Sequence, residues 1–161
     1  MKKIVFLIFA LIAANSAFSQ KQMPNVTLTS DTNKSFNVKN DFNEKDKLYV
    51  FAFWATWCAP CLNELDAINE YYATWSKELN MELIAVSIDD TRTQKRVKPL
   101  LNGKNWTYTI LLDTNQDLKR ALAIANVPYT IVVKNQKIVY VHNGYSQGAE
   151  MELYNKLKEL K

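Results

Sequence analysis

The sequence predicts an α/β fold in which helices flank a central mixed β-sheet, with an N-terminal β-hairpin and an inserted helix. Three observations carry the prediction. From Leu48 onward, apolar strand-like runs alternate with helical patterns, which implies a sheet with a parallel centre. Two β-rich runs joined by Asn135-Gln136 precede the last helix and add antiparallel strands. A two-cysteine turn, Cys58-Ala-Pro-Cys61, sits where the first buried strand hands over to the first long helix.

The 161 residues suit one domain with a full core, and 48% hydrophobic with 22% charged residues is an ordinary globular composition. Residues 1–19 read as a secretory signal peptide: Lys2 and Lys3, an unbroken apolar run from Ile4 to Ala14, then Ala17-Phe18-Ser19 at the cleavage site. That run is shorter than the roughly 20 residues of a transmembrane helix. An uncleaved N-terminal anchor is the alternative, and no Cys follows the cleavage site to carry a lipid. Without Lys2 and Lys3, 18 basic residues face 16 acidic ones, so residues 20–161 carry only +2. No basic cluster with interleaved aromatics points to nucleic acid.

Each element follows in order. Asn25-Val-Thr-Leu28 and Ser35-Phe-Asn-Val38 flank a turn at Asp31-Thr-Asn-Lys34 and form the leading hairpin. Leu48 to Trp54 is a buried strand. Cys61, Leu65, Ile68, Tyr72, Trp75 and Leu79 then recur at three- and four-residue steps, one face of a helix that Asn80 stops. Met81 to Ile88 is a second buried strand. Asp89-Asp90 is placed as an acidic cap for a basic helix over Thr91 to Asn102, which Pro99 weakens and Gly103 ends. Trp106 to Leu112 reads as a strand, with a helix through Leu118, Leu122 and Ile124 after it. Thr130 to Lys134 and Lys137 to His142 form the closing hairpin. Glu150 to Leu160 is the last helix, with Met151, Tyr154 and Leu157 inward.

The chemistry lies in the turn. A thiolate, not a thiol, attacks a disulfide, and a free thiol titrates near 8.5. A helix N-terminus carries unpaired N–H groups and about half a positive charge, so it favours an anion. Cys58, at the start of the helix, is therefore expected to be the exposed, more acidic attacker. Cys61, one turn in on the apolar stripe, is expected to be the buried resolving thiol. Pro60 suits the first turn, where its missing N–H costs nothing. Glu64 lies about 60° around the helix from Cys61. There a carboxyl would be partly desolvated, its pKa raised, and able to exchange a proton with Cys61; a solvated glutamate near the helix start is the competing reading. Two cysteines this close make a weak structural staple. A zinc site would need two more ligands, and His142 is the single histidine. Nothing in the chain calls for a metal or other cofactor.

Trp57-Cys58-Ala-Pro-Cys61, following a Val-Phe-Ala-Phe-Trp-Ala strand, resembles the thioredoxin superfamily, and Val127-Pro128-Tyr129-Thr130 resembles its cis-proline loop. The signal peptide, leading hairpin and inserted helix are similar to exported TlpA/ResA-like thioredoxins. The resemblance covers most of residues 24–160 and implies a thioredoxin-like domain over 20–161. It implies Cys58 as nucleophile, Cys61 as resolving thiol, Pro128 as a cis-proline beside them, and the Val127 backbone pairing a substrate strand. Related exported thioredoxins carry a glutamate at the spacing of Glu64. Trp57 flanks the thiols and is expected to pack over the turn, while Tyr129 borders the groove. Many thioredoxins place a buried acid six residues before the first cysteine; Ala52 stands there instead.

The resemblance implies a periplasmic protein-disulfide reductase serving exported thiol proteins, an apocytochrome c among the candidates, and recharged by a membrane thiol–disulfide donor. An oxidase or isomerase on the same fold is the alternative. A thiol peroxidase would want a Thr or Ser three residues before the attacking cysteine, where Ala55 stands. A peptide-binding module without catalysis would not need the intact pair.

Overall fold

The computed structural model describes residues 21–161; the expected signal peptide over 1–19 lies outside them. The strands are β1 (Thr27–Ser30), β2 (Ser35–Asn37), β3 (Leu48–Trp54), β4 (Met81–Ser87), β5 (Thr109–Leu112), β6 (Tyr129–Lys134) and β7 (Lys137–Asn143). The helices are α1 (Ala59–Glu78), α2 (Val97–Asn102), α3 (Asp117–Ala121) and α4 (Ala149–Leu160). All seven strands form one mixed sheet in the order β2-β1-β5-β4-β3-β6-β7. The parallel centre is β3–β4–β5, and β6 runs antiparallel to β3.

Burial explains the arrangement. Every residue of β3 is buried, so its continuous apolar run needs neighbours on both edges and cover on both faces. In α1, Cys61, Leu65, Ile68 and Trp75 are buried at the expected helical spacing. Trp75 stacks on Tyr154 of α4 with ring centroids 5.0 Å apart, so these two helices lie side by side. Asn80 ends the α1 connection with φ +48°, a left-handed conformation that asparagine tolerates. The hairpin turn Asn135-Gln136 has positive φ at both positions, as a type I′ turn requires.

Several expectations need correction. The inserted helix does not begin at Thr91: a 3₁₀ turn occupies Gln94–Arg96, and α2 starts at Val97. This start puts Pro99 in the first turn of α2, where no intrahelical N–H is lost. Trp106 and Tyr108 precede β5 rather than join it. Their side chains reach α1 instead, Trp106 Nε1 donating to Asp66 and Tyr108 Oη to the Leu65 carbonyl. In α4 the buried positions are Ala149, Leu153 and Leu157, whereas Met151 is exposed. The helix starts at Ala149, and this four-residue series points Met151 to solvent.

Before β1, Lys21 to Met23 runs beside the hairpin end. The Met23 N–H donates to Gln136, the Ile138 N–H donates to Lys21, and Gln22 bridges Lys137. This is the Leu48 end of the sheet, opposite Trp54, since Lys137 pairs with Lys134 and Lys134 with Leu48.

After α3 the chain forms a Schellman closure: the Ile124 N–H donates to Lys119 and the Ala123 N–H to Arg120. Ala123 occupies the position that usually holds glycine, with φ +58°. A left-handed alanine costs about 1–2 kcal/mol, and the unfolded-state entropy of glycine returns part of the gain from replacing it. Ala123→Gly is therefore expected to raise stability by roughly 0.5–1 kcal/mol, read from the urea midpoint at an unchanged slope.

Candidate active site

The site forms where β3 ends and α1 begins. Cys58 N-caps α1 and Cys61 sits in its first turn, and the two are joined as a disulfide with Cα atoms 5.3 Å apart. The Cys61 N–H donates to Cys58 Sγ at 3.3 Å. An otherwise unpaired N-terminal N–H of the helix is thus aimed at the sulfur that would carry thiolate charge once the bond is reduced. Cys58 was expected to be exposed; it is only 5% accessible, against 0% for Cys61. Both cysteines are buried in the oxidised pair, and the expected contrast of an exposed Cys58 with a buried Cys61 shrinks to this small difference. Trp57, expected to pack over the turn, is instead 58% exposed. It occupies a central position of the turn Ala55–Cys58, whose closing bond runs from the Cys58 N–H to the Ala55 carbonyl.

Glu64 is 4% exposed, deeper than a border position. Its burial pushes its pKa up to about 7, partly opposed by the Thr130 hydroxyl, which donates to Oε1 at 3.0 Å. Cys61 and Glu64 are three residues apart on the buried face of α1, the spacing at which helix side chains are neighbours. Thr130 pairs across β3–β6 with Ala52. The strand carries no acid at Ala52, and the Glu64 carboxyl meets Thr130, the cross-strand partner of Ala52, from the helix.

The Val127–Pro128 bond is cis. Pro128 directly precedes β6, and its carbonyl accepts from the Gly144 N–H at the end of β7. Tyr129 begins β6 opposite Phe53, with their rings edge to face, and both Val127 and Tyr129 are partly accessible. On another flank, Pro60 borders an open groove of about 580 Å³ between α1 and the Tyr145–Gln147 loop.

Two residues escaped the sequence reading. Thr130 looks like an ordinary β-branched strand residue, and only the pairing of β6 with β3 brings it to Glu64. Asp89 and Asp90 together were expected to cap the next helix, and the role of Asp89 is different. Its carboxyl is buried and accepts instead from the Thr56 N–H, the Thr56 hydroxyl and the Ser87 hydroxyl. Asp90 does not cap a helix either: its carboxyl accepts from the Arg92 and Thr93 N–H groups and closes the turn that precedes the 3₁₀ segment. Among the described residues no group of three or more His, Cys, Asp or Glu side chains is placed to hold a metal, and no helix is long and apolar enough to cross a membrane.

The family model described as the AhpC/TSA family matches residues 19–142. The thiol-disulfide oxidoreductase ResA of Bacillus thuringiensis subsp. konkukian is 28% identical over 137 residues, covering 84% of this chain and 76% of that protein. Among solved structures, an uncharacterized thioredoxin-like protein from Porphyromonas gingivalis is 44% identical with a TM-score of 0.74, covering 86% of this chain and 90% of that one. A putative thiol:disulfide interchange protein DsbE from Chlorobium tepidum shares the fold at a TM-score of 0.76 and 18% identity, covering 88% and 96%.

Proposed function

The chain belongs to the AhpC/TSA family, with a thioredoxin-like fold, and we propose that this thiol–disulfide oxidoreductase works as a reductase of disulfides in exported proteins. The observation that carries the reading is the Cys58–Cys61 pair at the N-terminus of α1, with the buried Glu64 three residues after Cys61, its pKa pushed up to about 7, as a proton acceptor for the resolving thiol. In the first step Cys58 thiolate attacks a substrate disulfide; one substrate sulfur leaves as thiolate and the other is bonded to Cys58. Cys61 then loses its proton to Glu64 and attacks Cys58 Sγ. The second substrate sulfur leaves as thiolate, and Cys58–Cys61 is left oxidised. Two electrons have passed to the substrate, and a membrane thiol–disulfide donor returns them.

In this reading the Val127 backbone and Tyr129 line one side of the approaching substrate strand, beside Pro128. The exposed Trp57 and the groove beside Pro60 line the other. The substrate class is exported thiol proteins, apocytochrome c among them. Lys21, where the described residues begin, lies at the far end of the sheet from the redox turn.

The reduction potential tests the direction. Thiol pairs on this fold span about −270 mV for reductants to about −120 mV for strong oxidants. Equilibration of the purified protein with glutathione buffers is expected to place Cys58–Cys61 below about −200 mV. A value near the oxidising end would assign the chain to the oxidases or isomerases instead. A thiol peroxidase lacks support from the site, since buried Ala55 offers no hydroxyl three residues before Cys58.

A further inference from the structure

The turn that carries Cys58 has no ladder partner of its own. Ala55–Cys58 closes on one backbone bond, and the N–H of Thr56 finds no acceptor within it. Asp89, 33 residues later and two residues past the end of β4, supplies that acceptor. Its Oδ2 receives the Thr56 N–H at 2.8 Å and its Oδ1 the Thr56 hydroxyl at 2.7 Å. Ser87 holds the carboxyl from behind, its hydroxyl donating to Oδ2 at 2.9 Å and accepting the Asp89 N–H at 3.2 Å. The Asp89 residue is 2% exposed and Ser87 1%. The frame beneath is rigid, because the Ile88 N–H donates to the Trp54 carbonyl and extends the β3–β4 pairing up to the turn.

A buried carboxyl with three donors is a costly arrangement to build unless every bond is made. Here two of the three donors belong to the single residue Thr56, two positions before Cys58. We propose that Asp89 is a positioning residue for the redox turn: through Thr56 it holds Ala55–Cys58 so that Cys58 stays over the N-terminus of α1 and within reach of Cys61. This rests on the reading of the pair as a thiol–disulfide exchanger. It adds that the closing of the pair is controlled from β4, not only from the turn and helix that contain the cysteines.

The consequence is measurable in the closing reaction itself. Disulfide formation within the pair depends on the effective concentration of Cys61 at Cys58, and a looser turn lowers it. Asp89→Asn puts an amide where two acceptor oxygens face three donors. Thr56→Val removes the hydroxyl donor while Asp89 remains. Ser87→Ala cuts the carboxyl from its support but leaves both bonds to Thr56 available. The three variants and the wild type would be equilibrated with glutathione buffers, and the oxidised fraction of Cys58–Cys61 read by alkylation and mass. Melting temperatures would be measured alongside.

The equilibrium constant for closing is expected to fall about tenfold in Asp89→Asn, which corresponds to ~30 mV toward the oxidising end. Thr56→Val is expected to lower it severalfold, and Ser87→Ala to leave it within about twofold while still lowering the melting temperature. If Asp89→Asn does not fold, Thr56→Val alone decides. Wild-type constants in both Asp89→Asn and Thr56→Val overturn the proposal, as does an equal fall in Ser87→Ala, which would mean that the cluster is only structural. A wild-type pair that closes normally while every variant matches it removes this proposal alone. A wild-type pair that never closes removes the exchange reading as well.

Discussion

Cys58→Ser is expected to abolish turnover of a disulfide-bonded protein substrate, a loss of about 10³-fold or more, as when other enzymes lose their nucleophile. Cys61→Ser is expected to stop the reaction one step later. Cys58 can still attack, but the resolving sulfur is gone, and a covalent Cys58–substrate adduct accumulates. A non-reducing gel and intact mass would show that adduct only in Cys61→Ser and its disappearance with dithiothreitol. Neither change should unfold the chain. The loop closed by the disulfide is tiny, and the chain-entropy estimate for losing it is only about 2 kcal/mol. Adducts in Cys58→Ser but none in Cys61→Ser would reverse the two assignments. Full activity in Cys58→Ser would leave the fold as a binding module.

Glu64→Gln is expected to slow release of the product by roughly 100-fold near neutral pH, the low end of the usual 10²- to 10⁴-fold range for losing a general acid–base group. Its signature is in the pH dependence. In the folded chain Glu64 titrates at about 7, against 4.5 for an ordinary solvated glutamate. Between those values the folded state holds a proton that the unfolded state has released, so stability falls as pH rises through that window. The gap corresponds to roughly 3 kcal/mol. The oxidised wild type should therefore lose up to that amount between about pH 4.5 and pH 8, and Glu64→Gln should not. Equal slopes of unfolding free energy against pH in the two proteins would sink the assignment. Thr130→Val gives the complementary result. Removing the donor that favours the charged form should push the Glu64 pKa higher still, and the activity limb with it.

Much of the site was legible because its members lie close along the chain. Cys58, Pro60, Cys61 and Glu64 are consecutive or one helical turn apart, and helix geometry alone separates the two sulfurs and brings Glu64 beside the second. Thr130 and Asp89 lie 66 and 33 residues from the groups they hold. No local pattern marks them, since a threonine in a strand and an aspartate before a helix each have a common, sufficient local explanation. Asp89 shows the limit most clearly. The acidic cap predicted for Asp89-Asp90 does not form on a helix: Asp90 closes the turn through Arg92 and Thr93, and Asp89 accepts from the hydroxyl and N–H of Thr56.

Local periodicity by itself determined the element order, the strand–turn–helix that carries the cysteines, and the mixed character of the sheet. Those follow from repeats of two and 3.6 residues and from turn chemistry, which act over a few residues. Tertiary structure alone decided how far Cys58 is shielded, that Trp57 stands out in solvent, and how deeply Glu64 is desolvated. It also decided what lies opposite Ala52. Each of these depends on which strand edge or helix end packs against the turn. Exposure and pKa are set by all the neighbours in space, and the partners of Glu64 and Thr56 are Thr130 and Asp89, distant in sequence.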